Sequence, residues 1–546
     1  MRPDGAKEGL RQSMAWLHTW AGLLLGWLLF AIFVTGTLSF FRHEISLWMK
    51  PELRGLGAAH AGTPALAERW LRAHAPQAQN WTVRLPDARE PALRVSWREP
   101  AARPGERPRF ETRWLDPASG AELRPRPTFG GDFFYRFHFE LRSAEKSRWI
   151  LEGRWVVGLA TLAMFVALLS GIVTHRRLFA DFFTLRWAKG GQRAWLDAHN
   201  VSGVLALPFY LLITFSGLMI FHSLYLPAGI AAAYGMKDGA YFSDLAGEPA
   251  GSAMRGRGGA RAATPAPGPM PPLALQAALD QARHHWPDLP LESLSVQRDG
   301  PEGLRLELRA RDGGRLQYPP PRLVLDGRDG RLLHAVDRGT PATRVYGVLY
   351  GLHMARFADW GLRWTLFALG VLGSAMIATG LLLWRVKRRA QTARRAARAS
   401  AGERLVDALN IASLAGLALA LCAYLLANRL LPAQLPQRMD AELQAFFGAW
   451  GLALLWALWQ PTRATWRRLL ALAATGLAAL PLLGAASGAG HLLDDLAHGE
   501  HVRALVELGW LVAAALLGAL AWHLREPRAA RRATATPPGD GEARPC

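Results

Sequence analysis

The chain has 546 residues, of which 51% are hydrophobic, including 22 Trp and 22 Phe; it is too long for one domain and too apolar in stretches to be wholly soluble. Its formal charge of +21 does not point to nucleic acid, because much of the excess flanks apolar stretches, where membrane topology puts it. The two cysteines, Cys422 inside an apolar stretch and Cys546 at the end, exclude a disulfide framework, a zinc knuckle and a Cys-held iron–sulfur cluster.

Eight stretches are apolar and long enough to be read as bilayer spans, which take about 20 residues. They are Met14–Phe41, Trp155–Thr174, Trp195–Phe221, Leu362–Trp384, Leu405–Leu426, Phe446–Leu458, Leu469–Leu483 and Ala504–Trp522. The sixth and seventh are short, which leaves a re-entrant pair open. The first is too long for a signal peptide, and Phe40-Phe41-Arg42-His43 is no small-residue cleavage site. Basic residues cluster before the first span (Arg2, Lys7, Arg11), in the second-to-third loop (Arg176, Arg177, Arg186, Lys189, Arg193) and after the fourth span. They recur after the sixth span (Arg463, Arg467, Arg468) and the eighth (Arg525, Arg528). All these clusters fall on one side of an eight-span count, so both termini are expected in the cytoplasm.

The expected organisation is a multi-pass α-helical membrane protein, a tandem repeat of span, small α+β domain, span. Residues 1–41 hold the first span and 42–154 the first outer domain; 155–221 hold the second and third spans with their basic loop. Residues 222–361 form the second outer domain with a flexible insert at 247–272, and 362–384 the fourth span. A basic linker, 385–404, leads to a four-helix extension, 405–524, and a disordered tail, 525–546. Each outer insertion opens with an amphipathic helix (Pro64–His74; Pro272–Trp286) followed by alternating strands such as Trp81–Leu85, Leu93–Trp97, Leu304–Leu308 and Arg322–Leu325. Each carries a Leu-Asp-x-x-x-Gly hairpin, at Leu115, Asp116 and Gly120 and at Leu325, Asp326 and Gly330. Trp155 and Gly171 in one repeat match Trp364 and Gly380 in the other at equal spacing.

Histidines recur at matched depth. His18 is followed by Gly22, Gly36 and Phe40, and His199 by Gly203, Gly217 and Phe221 at the same offsets. An imidazole inside a bilayer is costly and marks function by default, so the His18/His199 pair reads as two axial ligands of an inner haem iron. His175 breaks the repeat, since Trp384 takes its place; it is an alternative ligand or a contact to a haem carboxylate. Neighbouring Arg176 and Arg177 suit the same carboxylates. On the outer side His138 and His353 precede the second span of each repeat, in similar aromatic and Arg-bearing settings but out of step by about six residues; they are expected as a second axial pair. His43 and His222 read as structural. Bis-His ligation favours electron transfer over oxygen binding. His491, His498 and His501 near Asp494, Asp495 and Glu500 read as a solvated loop.

Five runs resemble the PepSY-associated transmembrane family over about residues 8–390. They are Trp16-Leu17-His18-Thr19-Trp20-Ala21-Gly22, Phe134 through Leu141, Gly171 through Arg177, Trp195 through Asn200, and Leu349 through Ala355. The resemblance implies a bacterial inner-membrane protein and, by analogy with characterised members, a haem-containing reductase of ferric siderophores acting on the periplasmic side. It implies nothing firm about the C-terminal helices.

No Gly-x-Gly-x-x-Gly or Gly-Lys-Ser/Thr loop is present, and the cytoplasmic loops are too short for a nicotinamide or flavin domain. The donor is then quinol or a separate reductase. The expected activity is electron transfer through haem b, two per chain, to a periplasmic ferric siderophore or other ferric chelate. The alternatives are a haem-free scaffold or sensor with periplasmic ligand-binding domains and, more weakly, an iron or chelate permease. The lipid bilayer is a partner and nucleic acid is not.

Overall fold

A computed structural model describes residues 9–99, 109–141, 152–175, 191–235, 238–245, 268–299, 303–311, 314–336, 341–396 and 398–525. The chain divides into two compact units, Met1–Trp384 and Arg385–Cys546.

The first unit opens with α1 (Leu10–Ser39), a 30-residue helix, followed by the short α2 (Arg42–Trp48). Helix α3 (Thr63–His74) buries Leu66, Ala67 and Leu71 against strands β1 (Asn80–Arg84), β2 (Leu93–Arg98), β3 (Phe110–Leu115) and β4 (Glu122–Leu123). Helix α4 (Asp132–Glu140) leads to the spanning helix α5 (Gly153–Thr174). The span expected at Trp195–Phe221 is two helices, α6 (Gly191–Leu205) and α7 (Leu207–Ile220), bent by 67°. The cause is Pro208 in the first turn of α7, which has no N–H to continue a ladder. The Tyr210 hydroxyl donates to the Ser202 carbonyl across the break at 3.0 Å.

Three short helices follow, α8 (His222–Tyr225), α9 (Pro227–Tyr234) and α10 (Asp238–Leu245). The second repeat then supplies α11 (Leu275–His285), β5 (Leu291–Asp299), β6 (Gly303–Ala310), β7 (Arg322–Asp326), β8 (Leu332–Val336), α12 (Pro341–Met354) and the long α13 (Trp360–Arg394). Its hairpin copies that of the first. Gly120 and Gly330 lie at φ +75° and +76°, a conformation a Cβ disfavours, and each donates its N–H to the carbonyl of the Asp four residues back.

The outer segments of the two repeats share one antiparallel sheet, ordered β4-β3-β2-β1-β5-β6-β7-β8. The seam is β1 against β5, with Thr82 opposite Ser295 and Arg84 opposite Ser293. One face, with Trp81, Val83, Val95, Leu294, Leu306 and Leu323, is buried with α3 and α11 in a single core. Joining at the seam pairs two edges that separate four-stranded sheets would leave open.

The second unit contains α14 (Ala401–Leu430), α15 (Arg438–Trp459), α16 (Arg463–Ala486), the short α17 (Leu492–Ala497) and α18 (His501–His523). With 22 and 24 residues, α15 and α16 are long enough to span singly rather than as a re-entrant pair. A π-helical turn, Ile411–Gly416, interrupts α14, and Trp450 donates to the Ala412 carbonyl there at 2.9 Å. Among the described residues, seven helices are long and apolar enough to cross a membrane, and the bent α6–α7 pair makes an eighth candidate. The chain is a multi-pass helical membrane protein.

Candidate functional site

The expected histidine pairs come together at two levels of the first unit. The rings of His18 on α1 and His199 on α6 have centroids 6.1 Å apart at an interplanar angle of 65°. Those of His138 on α4 and His353 on α12 are also 6.1 Å apart, at 32°. His18 is the ring that faces His199, and His175 lies at the C-terminal end of α5, one turn beyond Gly171. Arg176 and Arg177 lie outside the described residues.

Each ring is oriented through Nδ1. His18 donates to the Ala167 carbonyl, His199 to the Met376 carbonyl and His138 to the Ile32 carbonyl, each at 2.8 Å. The His353 Nδ1–H faces the Ser216 hydroxyl at 3.0 Å, while that hydroxyl donates onward to the Leu212 carbonyl at 2.7 Å. With the proton held on Nδ1, the Nε2 lone pair is left for a metal, the arrangement that orients metal-binding imidazoles generally.

Each ring also rests on a glycine. A Cβ added at Gly171 would come within 3.2 Å of His18, at Gly380 within 3.0 Å of His199, at Gly36 within 2.6 Å of His138 and at Gly217 within 3.0 Å of His353. The glycines recurring along α1 and α7, and those of α5 and α13, are thus the beds of the four rings. His138 and His353 face each other although their spacings to the following spans differ by about six residues.

The spacing admits one metal ion between each pair. With Nε2 about 1.1 Å from its ring centre and about 2 Å from the metal, two coaxial imidazoles place their centroids about 6.2 Å apart. Among the described residues, no cluster of three or more His, Cys, Asp or Glu is placed to hold a bare ion. A donor set of two imidazoles is one that the iron of a macrocycle would accept.

The outer pair opens into a cavity of about 400 Å³. Leu29, Phe33, Val157, Met164, Phe209 and Ile213 wall it with apolar surface, and Arg42, Arg89, Arg356 and Arg363 contribute four guanidinium groups with no carboxylate among the lining residues. Buried Glu44 behind the wall takes Arg89 in a two-pronged contact at 2.6 and 2.9 Å and Arg363 at 2.9 Å. Arg42 lies over the Tyr135 ring at 4.4 Å. An apolar slot with cations on its wall fits a flat macrocycle bearing carboxylates.

Arg356 belongs to the Arg-bearing setting that the sequence marks beside His353, whereas Arg42, Arg89 and Arg363 were missed because they come from separate elements. The sequence reading also set aside His43, which lines this cavity, donates to Glu90 at 2.5 Å and accepts from Arg42 at 3.2 Å. Burial pushes the Glu90 carboxyl up, but the His43 hydrogen bond and the charges of His43, Arg84 and Arg94 outweigh it and hold the group well below the usual carboxylate range. His222 sits against Tyr241 and Tyr346.

A sequence profile of the PepSY-associated TM region matches residues 15–387. The uncharacterized protein PA4219 of Pseudomonas aeruginosa is 28% identical over 358 residues, which cover 61% of this chain and 76% of that one. The profile takes in both histidine pairs and the joint sheet, and on that match the chain belongs to the PepSY-associated TM family.

Proposed function

We propose that the chain is a haem b-containing oxidoreductase of the bacterial inner membrane that carries electrons outward to periplasmic ferric chelates, ferric siderophores among them. The observation that carries the reading is the pair of facing imidazoles, repeated at two levels with one centroid spacing of 6.1 Å. His18 and His199 would hold the inner haem, and His138 and His353 the outer one. Haem b, held by these histidines, would supply a reversible one-electron couple suited to electron transfer. The Ala167, Met376 and Ile32 carbonyls and the Ser216 hydroxyl fix the ring orientations. The four glycines let the rings approach the helix backbones. Arg42 and Arg356 line the outer cavity, where guanidinium groups would suit the carboxylates of a haem, and aliphatic and aromatic side chains make up much of the rest of its wall.

The level spacing agrees with passage through a bilayer. His18 lies 18 positions before Gly36, the bed of His138, a rise of about 27 Å along α1 at 1.5 Å per residue and close to the hydrocarbon thickness of about 30 Å. The donor would be quinol or a separate reductase on the inner side. Oxidation of one quinol yields two electrons and two protons, so it serves two ferric ions.

The test is vectorial reduction. Proteoliposomes carrying quinol in the bilayer and a ferric chelate outside should release ferrous iron to an external ferrous-specific indicator, and variants His138→Ala and His199→Ala should each abolish the signal. A protein that purifies colourless from haem-supplied cells would instead be a scaffold or sensor. Uptake of the chelate without any reductant would make it a permease.

A further inference from the structure

The face of the joint sheet opposite α3 and α11 is rich in arginine, with Phe110, Trp114 and Val324 as apolar members. One cross-strand row reads Arg94, Arg84, Ser293, Arg309, Arg322 from β2 through β1, β5 and β6 to β7. Arg84 lies directly opposite Arg94, and Arg309 directly opposite Arg322. Like charges facing across an antiparallel ladder are destabilising; carboxylates offset them in part, Glu90 and Glu292 at Arg84 (2.8 and 3.3 Å) and Glu307 at Arg309 (3.0 Å), and both pairs flank the seam between the repeats. Two further arginines stand on the same face, Arg98 opposite Asn80 and Arg305 opposite Gln297. Glu307 and Asp326 are the carboxylates that the registers place there.

This face adjoins the outer cavity at two points. Arg84 pairs with Glu90 at 2.8 Å, and Glu90 holds His43, a residue of the cavity wall. On the other side of the seam Tyr318, four residues before Arg322, stacks on the cavity residue Tyr350 at 4.2 Å. The middle row between them is a run of hydroxyls, Thr112, Ser96, Thr82 and Ser295, in which Ser96 bonds Thr112 at 3.0 Å and Ser295 bonds Thr82 at 3.4 Å. Cationic guanidinium groups around neutral donors suit a ligand with several carboxylate oxygens, since Arg matches that group in a two-pronged geometry.

We propose that this face receives the substrate and selects an anionic, carboxylate-bearing ferric chelate over a neutral or cationic one. The inference rests on the electron-transfer reading for the word substrate, but its test does not use electron transfer. Residues from both repeats supply the cations, so the surface exists only because the two half-sheets join. From the first outer segment, Arg84, Arg94 and Arg98 stand on this face. Arg72 is committed to the Met270 and Pro271 carbonyls, and Arg113 lies over the Trp97 ring on the opposite face.

Equilibrium dialysis of the detergent-purified full chain against radiolabelled ferric citrate and against a cationic trishydroxamate ferric chelate tests the proposal. Ferric citrate should bind about tenfold or more tightly at low salt, with the advantage shrinking as ionic strength rises. The triple variant Arg94→Gln, Arg309→Gln, Arg322→Gln should lose that advantage, and the matching triple Lys variant, which keeps the charge, should keep most of it. An unchanged haem spectrum and circular dichroism in the Gln variant show that it is folded; if it is not, the Lys variant and the salt series decide. Equal affinity for the two chelates, or a preference that survives the Gln changes, overturns the proposal. So does displacement of ferric citrate by anionic lipid vesicles but not by free citrate, which would assign the face to lipid headgroups. A colourless protein that still selects ferric citrate would sink the redox reading and leave this one standing.

Discussion

Both compact units bury neutralised ion clusters, the first at Glu44 with Arg89 and Arg363, but the first alone also sets imidazoles in facing pairs among the described residues. In the second unit Arg438 and Glu442, both fully buried, bond each other at 2.5 Å, with Asn428 donating to the same carboxylate at 2.8 Å. Arg385 meets Asp407 at 2.8 Å and Glu403 at 3.4 Å. In the first unit the buried imidazoles do not neutralise a partner. Each uses one nitrogen to fix its own orientation and faces an identical ring across a gap that one metal ion would fill. Buried polarity that is satisfied within its own cluster reads as architecture, and polarity aimed at a symmetric mate reads as a site.

The largest effects expected come from breaking the pairs. His138→Ala and His199→Ala should each lower the haem content by about half, and the double variant should bleach the protein; a pyridine-haemochrome assay measures this. Glu442→Gln strikes the other unit. It leaves a buried guanidinium without its counter-ion, a change that costs about 3–5 kcal/mol. Its melting temperature should fall sharply while the haem content per folded chain is unchanged, which separates the two kinds of burial.

Gly36→Val is smaller and more local. Its Cβ would stand 2.6 Å from the His138 Nδ1, so the outer spectrum should be perturbed and the inner one preserved. A wild-type spectrum in that variant would remove the glycine from the account. Glu90→Gln tests the link from the cavity to the sheet. Because Glu90 is held below the ordinary carboxylate range, its contribution is fully present above about pH 4.3, the unfolded-chain value, and is lost as the solution becomes more acid. The variant should therefore melt earlier than wild type at neutral pH, by about 1–3 kcal/mol, and the difference should close only in strong acid. The smallest effect expected is that of Ser216→Ala. Removing an acceptor from the His353 Nδ1–H makes the imidazole a poorer donor to a metal, so the potential of the outer couple should rise in a redox titration while the inner one stays put.

Much of the first unit was legible in its residues. Matched glycines and histidines at repeated offsets gave the inner pair and similar aromatic and Arg-bearing settings the outer one, and the ladder of strands and the two Asp-x-x-x-Gly hairpins followed from alternation and from the need for positive φ at Gly120 and Gly330. Three features were not legible, for physical reasons. The β1–β5 seam joins segments more than 200 residues apart by main-chain hydrogen bonds, which carry no side-chain signature. The break of the third span depends on how Pro208 is accommodated, since neighbouring helices can carry a proline within a straight span. The arginine wall of the outer cavity comes from α2, the β1–β2 connection and the segments around α12 and α13, and only folding assembles it. His43 looked like an interfacial residue because its partner Glu90 lies 47 positions away.

The central claim is most directly tested by the reduced-minus-oxidised spectrum of the purified full chain, combined with a haem count. Two low-spin b haems per chain, one lost in His138→Ala and the other in His199→Ala, is the result predicted. A colourless protein from haem-supplied cells, or a haem that survives loss of both histidines, would contradict it.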